Sequence, residues 1–377
     1  MSILANYAMN DNIEPVMNSS KETITQKRIN NAKASYNVRN VPLDIVSCVL
    51  TGDVQPNAGD LVLATVTKIG QHQRIELGSG RRAGLHLGDE IIVCFGSRYA
   101  PDQFEAFVPD SLESCHLVAA GGVAARSINR HSKMKRATEI LPVGILADAQ
   151  GQRININDWA IKPMATEQPR PFTVGVLGTS MNAGKTTTAA GIIYALKKQG
   201  LKVAAAKVTG TGAGLDRWKM VDAGADIVLD FTDAGLVSTF GVPLEQLELT
   251  LSCLMDHMSA IQPDVIVLEI ADGLYQKETA ALMASDVFKS TVDQIVFAAG
   301  ESMGAKKGET LLEREGYSVL AVSGAINASP LAKREAQDVL KAPILQPKEV
   351  GKMIYDVLLS EQLITDKITQ LTSVKSH

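Results

Sequence analysis

The stretch Gly178-Thr179-Ser180-Met181-Asn182-Ala183-Gly184-Lys185-Thr186 constrains this chain more than any other. It satisfies the phosphate-loop pattern G-x-x-x-x-G-K-[ST], which carries meaning only between a strand and a helix. Both flanks fit. Phe172 to Leu177 is a short apolar run that predicts a buried strand. Thr187 to Gly200 carries Ala189, Ile192, Ile193 and Leu196 at helical spacing, with Gly200 placed as a C-terminal cap. In such a loop consecutive N–H groups face polyphosphate oxygens, and the helix N-terminus adds positive potential. The pattern therefore assigns Gly178, Thr179, Ser180, Asn182, Ala183, Gly184, Lys185, Thr186 and Thr187 to a nucleotide. Lys185 would reach the β- and γ-phosphates, and the Thr186 hydroxyl would ligate Mg²⁺.

The rest of the chain divides around this loop. From 172 onward, apolar strands are expected at 172–177, 202–208, 264–270, 294–299 and 317–323, with 343–345 as a further candidate. Helical stretches lie between them, including Leu244 to Ile261 and Pro330 to Leu340. That alternation predicts a doubly wound parallel sheet of the α/β class, with ligand beyond the carboxyl ends of its strands. Upstream, short strands at Leu61–Val66, Arg74–Leu77, Glu90–Phe95 and Phe104–Val108, punctuated by Gly-Asp turns, predict a small β-barrel-like domain. Residues 1 to 40 are rich in Asn, Ser, Lys and Gln without sustained periodicity, so a mobile tail or loosely docked arm is expected. A proline-bearing linker ends near Pro171, giving boundaries of 1–40, 41–168 and 169–377.

Composition enters only as exclusion. No apolar run reaches the roughly 18 residues of a membrane span, and four scattered cysteines fit free thiols of a reducing compartment. A cytoplasmic protein with no membrane contact is the expectation. The net charge of -4 argues against an overall electrostatic affinity for nucleic acid, though not against a local basic patch.

Three strand ends carry chemistry. Lys207 closes the second strand and is either a cation for an anionic substrate or γ-phosphate, or a solvated strand-end lysine. Asp264 to Glu269 is four apolar residues followed by a carboxylate, the placement of a Mg²⁺-side acid on a central strand. Asp272, in the turn that follows, is a second acid or a turn residue. Between these strands Asp216, Asp222 and Asp226 compete for a metal role that spacing does not decide. The run Asp230 to Gly235 is unusual for a plain loop and is a place to expect substrate contacts.

Taken together, the loop, Lys207 and the run Glu269-Ile270-Ala271-Asp272-Gly273 resemble dethiobiotin synthetase and its P-loop NTPase relatives over about 170–350. The resemblance implies ATP with Mg²⁺, with Lys185, Lys207 and Glu269 as catalytic residues and Thr186, Glu269 and Asp216 or Asp222 about the metal. It also implies Asn327 near the base, backbone from Ala342 to Leu345 beside adenine, and a homodimer. The chain departs from the family at Ser180, Met181, Ile270 and Asp272. What is implied is thus ATP-driven activation of a small anionic metabolite, a carboxylate or carbamate, whose identity stays open.

A nucleotide-dependent switch competes with that enzyme. Arg81-Arg82, Arg98-Tyr99 and the run Arg126, Arg130, His131, Lys133, Lys135, Arg136 offer a basic face on the upstream domain. Such a face on a barrel suits single-stranded nucleic acid when aromatics interleave it. Aromatics are sparse here, so a substrate, dimer or regulatory role for that domain is favoured over nucleic acid.

Overall fold

The computed structural model describes residues 19–164, 169–361 and 363–364. Calls on residues 1–18 and on the C-terminal end beyond 364 lie outside these.

The upstream half is almost wholly strand. It begins with β1 (Ser19–Thr23), α1 (Gln26–Asn31), β2 (Lys33–Ala34) and β3 (Cys48–Gly52). There follow β4 (Leu61–Lys68), β5 (Arg74–Glu76), β6 (Arg82–Gly84), β7 (Glu90–Phe95), β8 (Arg98–Tyr99) and β9 (Phe104–Phe107). The set ends with β10 (Cys115–Ala119), β11 (Val123–Arg130) and β12 (Thr138–Ala147). Five of them pair in a ring: β12 with β4, β4 with β7, β7 with β11 in parallel, β11 with β10, and β10 back to β12. Alternate residues of β4 enter two separate clusters, Leu61 and Leu63 in one, Val62, Ala64 and Val66 in the other.

Residues 19 to 40 correct the expectation of a loose arm. β1 pairs with β3, β2 pairs with β7, and Ile24, Ile29 and Val38 are buried in the same cluster as Leu61 and Leu63. Their spacing is irregular because the segment changes from strand to helix to turn while covering one surface. No single period could therefore reveal it.

The downstream half opens with β13 (Phe172–Gly178), α2 (Lys185–Lys198), β14 (Val203–Lys207), α3 (Leu215–Asp222) and β15 (Ile227–Asp230). It continues with α4 (Leu244–Ser259), β16 (Val265–Glu269), α5 (Lys277–Ala284), α6 (Asp286–Thr291) and β17 (Gln294–Ala298). The last elements are α7 (Ser302–Arg314), β18 (Val319–Ser323), α8 (Pro330–Gln337) and α9 (Pro347–Ser360). Six strands form a parallel sheet in the order β15-β14-β16-β13-β17-β18. It is wound on both faces: Val265 and Val267 pack with α2 and α9, while Ile266 and Leu268 pack with α4 and the helices beside it. β15 is an edge strand that the sequence did not announce, and the candidate at 343–345 is a single bridge from Ile344 to Val322.

The two halves meet backbone to backbone. A Cβ on Gly121 would lie 2.2 Å from the Gly212 carbonyl oxygen, so no side chain fits between these loops. Val237 of the downstream half is buried in the upstream cluster. Around Asp230 to Asp233 the seam is ionic. The Tyr36 hydroxyl donates to Asp230, Arg39 donates to Thr232 at 2.6 Å and to Asp233 at 2.5 Å, and Arg217 donates to Asp233 at 2.6 Å. The run singled out for substrate contacts is instead the bolt between the halves.

Candidate functional site

The loop joins β13 to α2 above the sheet's carboxyl ends. Gly184, the residue before α2, has φ 101°, and a Cβ there would stand 2.9 Å from Gly324 Cα. Only glycine meets both conditions. The first N–H groups of α2 lack intrahelical acceptors by geometry and face the same space. Thr179 N donates to Ala298 O at 3.0 Å, and Ala183 O accepts from Ala325 N at 2.9 Å, which fixes the loop's two limbs. Lys185 is only 6% exposed and donates from Nζ to Ser180 O at 2.8 Å. Burial pulls its pKa down against the pull of Glu269 and Asp272.

Beside the lysine is a hydroxyl between two carboxylates. Thr186 Oγ1 lies 2.8 Å from Glu269 Oε1 and 3.0 Å from Asp216 Oδ1. One hydroxyl has one proton, so it cannot donate to both. Glu269, 2% exposed, has Oε2 without a partner. Burial and the Asp216 charge push its pKa up to about 7. Lys207, which pairs with Asp230 and Glu269 in the strand register, forms an ion pair with Asp216. Burial pushes its pKa down, but Asp216 and Glu269 outweigh that and leave it raised. Of the three acids that compete in the sequence, Asp216 is the one placed at this cluster. Asp222 is exposed at the C-terminal end of α3, and Asp226 pairs with Lys197 at 2.7 Å.

These groups line a cavity of about 440 Å³ between the halves. Its near wall carries Lys185, Thr186, Thr187, Lys207, Asp216, Glu269 and Asp272. Its far wall comes from the upstream half: His72, Glu76, Arg82, Arg98, Tyr99 and Gln103. Burial raises the pKa of Asp272, with Lys185, Lys207 and Arg98 opposing. Asp102, on the turn between β8 and β9, accepts from Asn182 Nδ2 at 2.6 Å, so the upstream half touches the phosphate loop itself. From sequence, Arg82, Arg98 and Tyr99 read only as part of a basic face, and His72, Glu76 and Gln103 gave no signal of a site. Arg98 reads from sequence as part of an exposed basic face, yet it is 6% exposed, whereas Arg126, Arg130 and Arg136 are exposed. A lone Arg-Tyr pair in a two-residue strand gives no signal of burial.

Asn327 lies off this cavity, on the turn after β18. Its Nδ2 donates to Leu345 O at 2.9 Å and to Ser323 Oγ at 3.3 Å, and its Oδ1 has no partner.

Among the described residues there is no group of three His, Cys, Asp or Glu side chains that could hold a metal ion alone. A Mg²⁺ ion suits such a place, since it takes one or two carboxylates and completes its shell with waters and phosphate oxygens. Among the described residues no helix is long and apolar enough to cross a membrane.

No family model and no curated protein matches the chain. Solved structures similar to it include the signal recognition particle receptor FtsY from Elizabethkingia anophelis, at 14% identity and a TM-score of 0.31 over 54% of this chain and 75% of that one. A nucleotide-binding protein from Archaeoglobus fulgidus in complex with ADP matches at 13% identity and a TM-score of 0.34, over 48% and 87%. The septum site-determining protein MinD from Pyrococcus horikoshii, complexed with Mg-ADP, matches at 14% and 0.33, over 47% and 82%. Likeness at this level carries no weight on its own, and the phosphate loop rests on its own residues and geometry.

Proposed function

We propose that this protein binds and hydrolyses ATP with Mg²⁺ and uses it to activate a small carboxylate or carbamate by phosphoryl transfer. One observation carries the proposal: Lys185 and the Thr186–Asp216–Glu269 cluster converge on a cavity that a second domain closes. Lys185, now spent on its own loop's carbonyl, would turn to the β/γ-phosphates. Thr186, Asp216 and Glu269 would hold Mg²⁺, which neutralises charge on the transferring group. The unpartnered Glu269 oxygen and the hydroxyl shared by two acids fit a cation. An acceptor oxygen bonds the γ-phosphorus as the bond to the β–γ bridging oxygen breaks, and nucleoside diphosphate leaves. The unpartnered Asn327 Oδ1 could accept from a base amino group, and the choice of ATP over GTP rests on the family resemblance. Titration calorimetry with both nucleotides, and ATPase assays of K185A, test the proposal. Preference for GTP, or wild-type turnover by K185A, defeats it.

A switch is the second proposal, favoured by the Asp102–Asn182 contact that ties the upstream domain to the loop. Hydrolysis stimulated by RNA or single-stranded DNA, and lost when Arg126, Arg130 and Arg136 are neutralised, selects it. A homodimer belongs to the first proposal only through family resemblance, and light scattering decides it.

A further inference from the structure

The guanidinium of Arg98 is buried beside the phosphate loop without an anion to match it. Its Nη2 donates to Gln103 Oε1 at 2.9 Å, while Nε and Nη1 have no partner. Burial lowers its pKa to about 10, with only Asp272 opposing, so it stays charged at neutral pH. An ionised group in such a place costs several kcal/mol unless something pairs with it. Among the described residues Arg98 makes no ion pair within 4.0 Å, although Asp272 lines the same cavity.

Arg98 is also held in place. His72 Nδ1 lies 3.2 Å from Leu117 O, which makes Nδ1 the protonated nitrogen of a neutral ring. Burial, then the Arg98 charge, lower the His72 pKa to about 4, so the ring beside the guanidinium is neutral. Gln103 Oε1, which accepts from Arg98 Nη2, faces the guanidinium, and His72 lines the same cavity. A neutral histidine and an oriented amide leave the arginine its full charge. Small side chains, Ala100, Ala119, Ala120 and Ala213, give the cavity room for a short carbon skeleton.

We propose that Arg98 is the receptor for the acceptor's anionic group, so that the upstream domain supplies substrate specificity and takes a small carboxylate. Gln103 is the positioning residue. The inference rests on the phosphoryl-transfer proposal for what happens next, but not for binding itself.

The test uses the full chain, with acetate, succinate and glutamate as probes, with and without a non-hydrolysable ATP analogue and Mg²⁺. At least one probe binds wild type saturably, and R98M weakens it roughly thirtyfold or more, the loss expected when one partner of a buried charge pair is removed. R98K recovers part of that loss, Q103L loses less than R98M, and analogue affinity stays within about twofold of wild type in all three. Because Arg98 has no ion-pair partner to lose, R98M alone unfolds no earlier than wild type, and only wild type gains melting temperature from the probe. A merely structural arginine gives the reverse, an R98M that melts early at every probe concentration. That result, equal probe binding by R98M, no saturable binding of any probe, or loss of analogue affinity in R98M overturns the proposal. Failure of the ATP analogue to bind wild type, with Arg98-dependent probe binding intact, counts instead against the phosphoryl-transfer proposal.

Discussion

At the scale of single residues, the site is a set of charges whose partners are incomplete. Lys185 spends its ammonium on a carbonyl of its own loop, and Glu269 keeps one oxygen unpaired. Replacing Lys185 with Ala removes the only lysine of the loop, and Mg-ATP affinity should fall by at least about tenfold in calorimetry. Unchanged affinity would remove the loop from the site. Glu269→Gln keeps the shape but drops one charge, so the Mg²⁺ concentration for half-maximal turnover should rise several-fold while metal-free nucleotide binding persists. If the Mg²⁺ dependence does not move, Glu269 is no metal-side acid. His72 makes a prediction about pH. Its folded pKa, about 4, lies below the ordinary histidine value of about 6.5, so between these the unfolded chain takes up a proton that the folded one refuses. Stability that His72 contributes is present above pH 6.5 and is lost as pH falls towards 4. Urea midpoints of wild type minus those of His72→Gln should therefore decline from pH 7 to 4.5. A flat difference would show that the ring is not buried neutral.

Among elements, the bolt at the carboxyl end of β15 decides how the two halves are held. Arg39 stands between Asp230 and Asp233, both buried, with Tyr36 and Arg217 completing their bonds. Arg39→Met leaves buried carboxylates under-compensated and should destabilise by about 3–5 kcal/mol. Tyr36→Phe removes one donor and should cost about 1–2 kcal/mol. Equilibrium denaturation measures both, and near-zero values would show the cluster to be solvated. This bolt also marks where sequence stops being informative. β13, β14 and β16 announce themselves as apolar runs because both faces of a central strand are covered. β15, with Ile227-Val228-Leu229 before Asp230, is too short and too close to its turns to stand out. Asp230 and Asp233 look like loop polarity, since their partners Tyr36 and Arg39 lie almost 200 positions upstream. Asp216 could not be told from Asp222 by spacing, whereas one helix puts the first at the sheet and the second in solvent.

For the whole molecule, one short segment links everything proposed. Arg98 to Gln103 carries the guanidinium in the cavity, the Asp102 carboxylate on the phosphate loop, and the amide that orients the guanidinium. A nucleotide that displaces Asp102 from Asn182 must shift the turn that holds Arg98, and an anion that draws Arg98 inward must act on the same turn. Coupling of this kind is reciprocal: whatever factor the nucleotide applies to anion affinity, the anion applies to nucleotide affinity. The full chain should show it in four titrations, succinate with and without an ATP analogue, and the analogue with and without succinate. The two ratios should agree and differ from one by about fivefold or more, the lower range of measured couplings. Asp102→Ala cuts the link and should bring both ratios towards one. Removing a carboxylate beside the phosphates should also tighten the nucleotide, more at low salt than at high. If affinities are independent in wild type, the two ligands share a cavity but not a mechanism, and the upstream domain is a lid that merely encloses the acceptor.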